Sequence, residues 1–488
     1  MTTKLSRNGY IIIKSNYTPK EIKEIKDDLT AKPYTFDDFS NGKEVRFHLF
    51  LESPKKLYIP RFYGLKRFGE PTIDKLTNGD TIDIKFKGDL REEQKPILDV
   101  SYKQIIEKGG GIISLKCGGG KTVLSLYILA QLKLKTLVVV HKDFLMTQWY
   151  DRIKEFIPEA RIGKIQQDTI DIEDKDIVLA MVQSLSMKEY PENTFEDFGF
   201  VIFDECHHLG AEVFCRCMAK VQSKYMLGLS ATPNRKDGLR KVFEWYIGDI
   251  AYMTKEKSDD DARVDIIKYY SEDSKYLKIE TTFQGKPCFP KMINNICDHI
   301  PRTELIIKKL LPLYEEDRCI LILSDRRNHL LEIAILLKKY NIECGYYVGG
   351  MKPQALRDAQ EKNIILGTFS MASEGMDIPK LNTIILASPK SDIVQSVGRI
   401  LRQKKEVRKF QPLIIDINDE FSLFLNQSKK RLAFYNKCKY DITIYDMDGT
   451  NHKYEKKTKK RSSKRSNNKR SSKKKDKKKI EDIDECLL

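Results

Sequence analysis

Two successive series of apolar runs, each run separated from the next by a stretch with helical character, decide the architecture. The first series, over about residues 89–250, reads GIISLK, KTLVVV, DIVLAM, FGFVIFDE and YMLGLSAT. The second, over about 300–450, reads RCILILS, IECGYYV, KNIILGT, NTIILAS and QPLIIDI. Strands that are apolar throughout, without alternation, suit a parallel sheet buried on both faces, and the stretches between them supply the crossover helices. The expectation is an α/β chain with two tandem parallel-sheet domains. Its 488 residues are also more than one hydrophobic core usually holds.

The flanks read differently. Residues 1–88 form the first expected domain, opened by a capping box at Thr18, Pro19 and Glu21 leading into the helix IKEIKDDL. Strand-like runs follow (EVRFHLFL, KLYIPRFYG, DTIDIKF), so this domain is expected to be β-rich. Lys56, Arg61, Lys66 and Arg67 interleave with Tyr58, Phe62, Tyr63 and Phe68, a mixture that can stack on bases and pair with phosphates. A packed core with a solvated basic edge is the favoured reading of the same residues. Residues 89–252 and 301–450 are the two sheet domains, joined by a polar linker or insert over 253–300, and 451–488 is a disordered basic tail.

Charge sharpens the last boundary. Of the formal +17, the segment Lys453 to Lys479 carries 16 Lys/Arg against Glu455 and Asp476, whereas Ile480 to Leu488 carries −4. Such a segment cannot bury apolar surface and is expected to bind polyanions without sequence choice; a nuclear-import signal is the competing reading. The acidic end is expected to bind the tail or a partner. Ten cysteines without paired C-x-x-C spacing read as reduced intracellular thiols. A zinc site at Cys206, His207, His208, Cys215 and Cys217 is set aside, because metal sites favour spaced ligand pairs. The N-terminal apolar run is too short for a signal peptide, and no stretch approaches the roughly 18 apolar residues of a membrane span.

The chemistry concentrates in two places. LKCGGGKT, residues Leu115 to Thr122, lies between a strand and a helix. There Cys117, Gly118, Gly119 and Gly120 let backbone N–H groups approach phosphate oxygens, Lys121 neutralises the β- and γ-phosphates, and Thr122 ligates Mg²⁺. The generic phosphate-loop pattern has glycine where this chain has Leu115. FDECHH follows, with Asp204 and Glu205 at the carboxyl end of a strand, the edge where open α/β sheets bind ligands. Asp204 is expected to hold the Mg²⁺ shell and Glu205 to orient or deprotonate the attacking water. The pair is hardware for splitting a nucleoside triphosphate.

With LGLSATP and QSVGRILR added, the chain resembles superfamily 2 helicases of the DEAD/DEAH type. The four stretches match motifs I, II, III and VI in order, over roughly residues 89–420. That family often begins motif I with leucine, and its fold is a pair of RecA-like domains with Mg²⁺–ATP between them. The resemblance implies that Arg91 and Gln94 in LREEQ read the adenine. It places His141, Lys142 and Gln148, then Gln183 and Ser184, along a nucleic-acid strand, with Arg326 and Thr368 beside it from the second domain. It gives Ser230 and Thr232 a coupling role, sets Gly375 and Asp377 near the nucleotide, and makes Gln395, Arg399 and Arg402 reach across the cleft, the arginines as fingers on the γ-phosphate.

ATPNRKDGLRKVFEWYIGDIAY is similar to the segment after motif III in the XPB-type branch, which includes phage UvsW-type helicases and transcript-release helicases of large DNA viruses. There an Arg-Glu-Asp triplet supports strand separation; here it reads Arg235, Lys236, Asp237, with the central charge reversed. YDITIYDMDGT imitates an aspartate-nucleophile phosphatase motif at Asp446, Asp448 and Thr450. Too little chain follows for that domain, and Asp-Gly between strand-like runs is a hairpin turn.

The resemblance thus implies an ATP-driven helicase or translocase, on DNA rather than RNA, moving 3′ to 5′, in transcription, recombination or repair. The alternatives are a nucleotide-gated duplex-binding ATPase, an RNA helicase that leaves DNA strands paired, and a motor subunit of a restriction or repair complex. The expected state is a soluble intracellular monomer with transcription or repair partners, in the nucleus or, for a viral member, the host cytoplasm or virion.

Overall fold

The computed structural model describes residues 2–32, 46–115, 118–191, 193–206, 211–231, 240–254, 261–374, 376, 378–403 and 405–454. Cys117, Thr232, the triplet 235–237, Gly375, Asp377, His207, His208 and the basic tail beyond Tyr454 lie outside the described residues. Residues Met1–Lys453 form one compact unit.

All five apolar runs of the first series are strands. They sit in an eight-stranded sheet in the order Thr169–Asp171, Ile162–Gln166, Ile177–Met181, Thr136–Val140, Phe200–Phe203, Tyr225–Ser230, Gly110–Ser114 and Ile250–Met253. Every neighbouring pair is parallel except the first. Leu137 to Val140 and Phe200 to Phe203 are at most 1% exposed, as expected for strands covered on both faces. Because the strands run together, Ser114, Val140, Met181, Phe203 and Ser230 end on one edge of the sheet.

The second sheet also has eight strands: Gly345–Tyr347, Ile364–Thr368, Ile320–Ser324, Thr383–Leu386, Leu413–Asp419, Arg263–Tyr269, Asp441–Tyr445 and Asn451–Lys453. Here the expected linker is corrected. Arg263–Tyr269 lies between Leu413–Asp419 and Asp441–Tyr445, parallel to both. Its core, Val264 to Ile267, is buried, but Asp265 interrupts the apolar run and disguises it. Helix Phe289–Cys297 and the start of helix Ile300–Glu315 fall in the same segment, so 253–300 supplies a strand and a helix to the second domain. The phosphatase-like stretch is a hairpin: Asp441–Tyr445 pairs antiparallel with Asn451–Lys453, the turn closes through Asp446 N to Thr450 O at 2.9 Å, and Gly449 takes φ +89°.

The leading domain carries a five-stranded sheet in the order Leu51–Glu52, Lys56–Ile59, Gly9–Ile13, Lys4–Ser6 and Ile73–Asp74. Its helix Pro19–Asp28 has the expected cap, with Thr18 Oγ1 accepting from Glu21 N and Thr18 N donating to Glu21 Oε2. Two strand expectations fail. After Pro60 the chain forms helix Arg61–Phe68, since proline pre-sets the first turn and Arg, Leu and Lys sustain it. DTIDIKF forms no strand; Ile82 and Ile84 enter the core beside the first large sheet instead.

The basic–aromatic stretch is divided: Lys56, Lys66 and Arg67 are exposed, whereas Arg61 and the aromatic rings turn inward. Phe62 and Tyr63 are buried, and the Arg61 guanidinium donates to Ser223 O at 3.2 Å and Lys224 O at 2.8 Å. One continuous core joins Tyr10, Leu57 and Tyr63 to Val221, Phe243 and Tyr246. Tyr246 Oη donates to Leu49 O at 3.0 Å, and the Tyr63 ring packs edge-on against Trp245 at 5.2 Å. The first two domains are therefore one packed body.

Candidate ATP and nucleic-acid site

Strand Gly110–Ser114 leads through the glycine loop into helix Lys121–Leu132. Gly118 and Gly120 take φ of +77° and +75°, the left-handed region that glycine enters without a Cβ penalty. Gln94 braces the loop: its Nε2 donates to Gly120 O at 3.3 Å, while its Oε1 accepts from Arg91 N at 3.0 Å. Gln94 is buried and Arg91 is exposed, so of the pair expected at the adenine only Gln94 is built into the loop.

Opposite the loop, Asp204 and Glu205 follow strand Phe200–Phe203. Asp204 N still donates to Val139 O at 3.0 Å, continuing the ladder. Glu205 then takes φ +45°, a strained backbone for a residue with a side chain. Its carboxylate meets Lys121: Nζ to Oε1 is 2.8 Å, with both side chains nearly buried. Asp204 is enclosed. Its Oδ1 accepts from Glu205 N at 2.9 Å and its Oδ2 from the Trp149 indole Nε1 at 2.8 Å. Burial, then the neighbouring Glu205 charge, push its carboxyl up to about 6.

Two carboxylates face one lysine in a largely enclosed space, so the cluster carries surplus negative charge. That surplus suits a divalent cation. Asp204, with the Thr122 hydroxyl at the start of the adjacent helix, is the donor set that would hold Mg²⁺. The ion supplies neutralisation of phosphate charge when bound. Lys121, paired with Glu205, would exchange that carboxylate for phosphate oxygens and leave Glu205 open to a water.

The second domain contributes unevenly. A Cβ placed on Gly118 would lie 3.6 Å from Arg402 Cγ, so the Arg402 stem lies against the phosphate loop. Arg399 does not reach it. Buried, it donates Nε to Ala372 O at 2.6 Å and Nη1 to Met376 O at 2.9 Å, and it also bonds Ser373 O. Expected as a finger, Arg399 instead gathers the carbonyls at the end of helix Phe369–Glu374, the arrangement a cation favours at a helix C-terminus. Gln395 is half-buried on the short helix Val394–Val397.

The expected strand contacts line the carboxyl edges of both sheets. His141 and Lys142 follow strand Thr136–Val140 and open helix Asp143–Phe156, which carries Gln148 half-buried. Gln183 is exposed and donates to His141 O at 2.9 Å, tying two of these loops together. Ser184 is buried and its Oγ accepts from Gln167 N at 2.9 Å, which turns it inward. Arg326 follows strand Ile320–Ser324 and holds helix Phe289–Cys297 through Asn294 Oδ1 at 2.5 Å and Pro290 O at 2.7 Å. Thr368 ends strand Ile364–Thr368, with its hydroxyl 3.3 Å from that of Ser370. Ser230 ends strand Tyr225–Ser230, buried, and its carbonyl accepts from Leu115 N at 3.1 Å, joining motif III to the start of motif I.

Trp149 was absent from the expected site. Its signal was available: a tryptophan next to Gln148 on an otherwise apolar helix face must find a partner for its N–H.

Family comparison agrees with the geometry. Residues 87–235 match the family model "Type III restriction enzyme, res subunit" and residues 302–404 match "Helicase conserved C-terminal domain", together more than half of the chain. The chain belongs to the superfamily 2 helicases. It is an ATP-dependent helicase that uses ATP and Mg²⁺ and couples ATP hydrolysis to unwinding nucleic acid. Its relatives include viral proteins: it is 39% identical over 473 residues to "Putative ATP-dependent RNA helicase L396" of Acanthamoeba polyphaga mimivirus, covering 93% of this chain and 89% of that one. It is 26% identical over 393 residues to "Putative ATP-dependent RNA helicase QP509L" of an African swine fever virus isolate, covering 72% and 73% of the two chains. The fold is similar to a fragment of a putative HsdR subunit of a type I restriction enzyme from Vibrio vulnificus, with TM-score 0.52 and 18% identity over 75% of this chain and 71% of that chain. Among the described residues, no helix is long and apolar enough to cross a membrane.

Proposed function

We propose that the chain is a DNA helicase that advances 3′ to 5′ along one strand, with ATP held between the two sheets. The observation that supports the split site is the Arg402 stem lying against Gly118: the side chain of a second-domain arginine packs on the phosphate loop of the first. In this reading Lys121 and Arg402 take the γ-phosphate, Asp204 and Thr122 the Mg²⁺, and Glu205 the attacking water. Closure of the two halves completes the site, and the row His141, Lys142, Gln148, Gln183, Arg326 and Thr368 follows the strand backbone.

A DNA substrate is supported by the first-domain match to a restriction-enzyme subunit. The direction rests on the family resemblance. A second reading, RNA as substrate, is favoured by the names of the viral relatives. ATP turnover measured with single- and double-stranded DNA and RNA, followed by displacement from duplexes with a 3′ or a 5′ tail, decides between them. Stimulation by DNA and displacement only from 3′-tailed DNA are expected; stimulation by RNA alone would overturn the DNA reading.

A further inference from the structure

The two oxygens of Asp204 are claimed by different parts of the molecule. Oδ1 is bound by the next residue of its own loop, Glu205 N, whereas Oδ2 is bound by an indole from helix Asp143–Phe156. Trp149 is 1% exposed, and a packed indole has only two torsions with which to aim its single donor. The strands beneath are locked in register, Val139 beside Phe203, so the base of the site is common to both elements. The helix above is the element that joins the loop of His141 and Lys142 to the indole. It begins immediately after Lys142 and carries Gln148, the residue before the indole, so a strand that engages its amino end pulls on the same rod that aims the Asp204 carboxylate.

We propose that Trp149 is a positioning residue that couples nucleic-acid contact along helix Asp143–Phe156 to the Asp204 carboxylate, so that the Mg²⁺ requirement for ATP hydrolysis depends on whether a strand is bound. This rests on the reading above, in which Lys142 and Gln148 face the strand and Asp204 holds the ion.

The chain has two tryptophans, which makes the idea measurable. Trp245 packs against Tyr63 in the core shared with the leading domain, so Trp245→Phe is a matched control that removes an indole elsewhere. ATP hydrolysis by the full chain is titrated with Mg²⁺, with and without a single-stranded oligonucleotide. For the wild type and Trp245→Phe, the oligonucleotide lowers the half-saturating Mg²⁺. In Trp149→Phe that strand-dependent shift disappears, and half-saturation with strand present rises about tenfold, the loss expected for one hydrogen bond to a charged group. A purely structural tryptophan would lower the melting temperature and leave the shift intact, which overturns the proposal.

The second measurement does not need Trp149→Phe to fold. In Trp245→Phe, Trp149 is the sole indole, and its emission is expected to change when Mg²⁺ and a non-hydrolysable ATP analogue are added, at a lower Mg²⁺ concentration with oligonucleotide than without. An emission midpoint indifferent to the oligonucleotide overturns the coupling. If the wild type itself shows no strand-stimulated turnover, the functional reading fails, and the emission titration still decides whether Trp149 senses the ion.

Discussion

Lys121 Nζ and Glu205 Oε1 are 2.8 Å apart, so the cation proposed for phosphate and the carboxylate proposed for water neutralise each other at the mouth of the site. The pair must separate for chemistry to occur. Nucleotide phosphates offer Lys121 a stronger partner and release Glu205, a switch built from two charges. Lys121→Ala and Glu205→Gln are each expected to lower strand-stimulated ATP hydrolysis at least about a hundredfold, the scale for losing a group that stabilises transition-state charge. Phosphate release measures it, and undiminished stimulated turnover in either variant contradicts the assignment.

The two arginines of QSVGRILR should fail in different ways. Arg399→Ala removes a shared donor from two buried carbonyls and a third that is half-buried, and is expected to cost about 2–4 kcal/mol of stability, seen as a lower melting temperature. Arg402→Ala leaves the melt within about 0.5 kcal/mol of wild type but lowers stimulated turnover roughly a thousandfold, as for a finger residue. Equal stability losses would show that Arg402 too is structural.

Arg61→Leu tests the seam between the first two domains. Its guanidinium is buried against Ser223 O and Lys224 O, and burial pulls it down to about 10. Removal leaves two inward carbonyls without a donor, a loss of about 1–3 kcal/mol. Urea unfolding should show an earlier midpoint, with helix Arg61–Phe68 becoming a target for limited proteolysis; an unshifted midpoint rules the contact out as a clamp.

His329 gives a pH signature. It is buried between Ser324 Oγ, 3.0 Å from Nδ1, and Thr303 Oγ1, 3.3 Å from Nε2; burial, then the Arg302 charge, lower it to about 3. The folded state therefore resists a proton that the unfolded chain accepts near 6.5. The stability this contributes is full above pH 6.5 and is lost as pH falls from there toward 3. His329→Gln should flatten the decline of melting temperature between pH 6.5 and 4 relative to wild type, and identical slopes would refute the assignment.

What the chain disclosed in advance was whatever depends on local pattern. Ten apolar runs gave ten strands, nearly all of them buried on both faces and only Gly345–Tyr347 half-buried at a sheet edge, and LKCGGGKT and FDECHH met at Lys121 and Glu205 because parallel strands bring their carboxyl ends to one edge. Position in three dimensions was less legible. Arg399 and Arg402 stand on one short motif, and only packing decides that one faces inward to Ala372 while the other lies against Gly118. That the Trp149 indole takes Asp204 Oδ2 as its partner is likewise set by packing. RFYG read as strand because Phe and Tyr favour sheets, but Pro60 and the apolar cleft beside Tyr246 drew it into a helix.

The strand Arg263–Tyr269 has a mechanical corollary. It starts the second sheet only nine residues after Met253 ends the first, over 254–262. A fully stretched chain of that length reaches about 30–35 Å. The covalent joint is thus a leash, and it caps the gape between these two sheet edges at any stage of the cycle, whatever the nucleotide or strand between them.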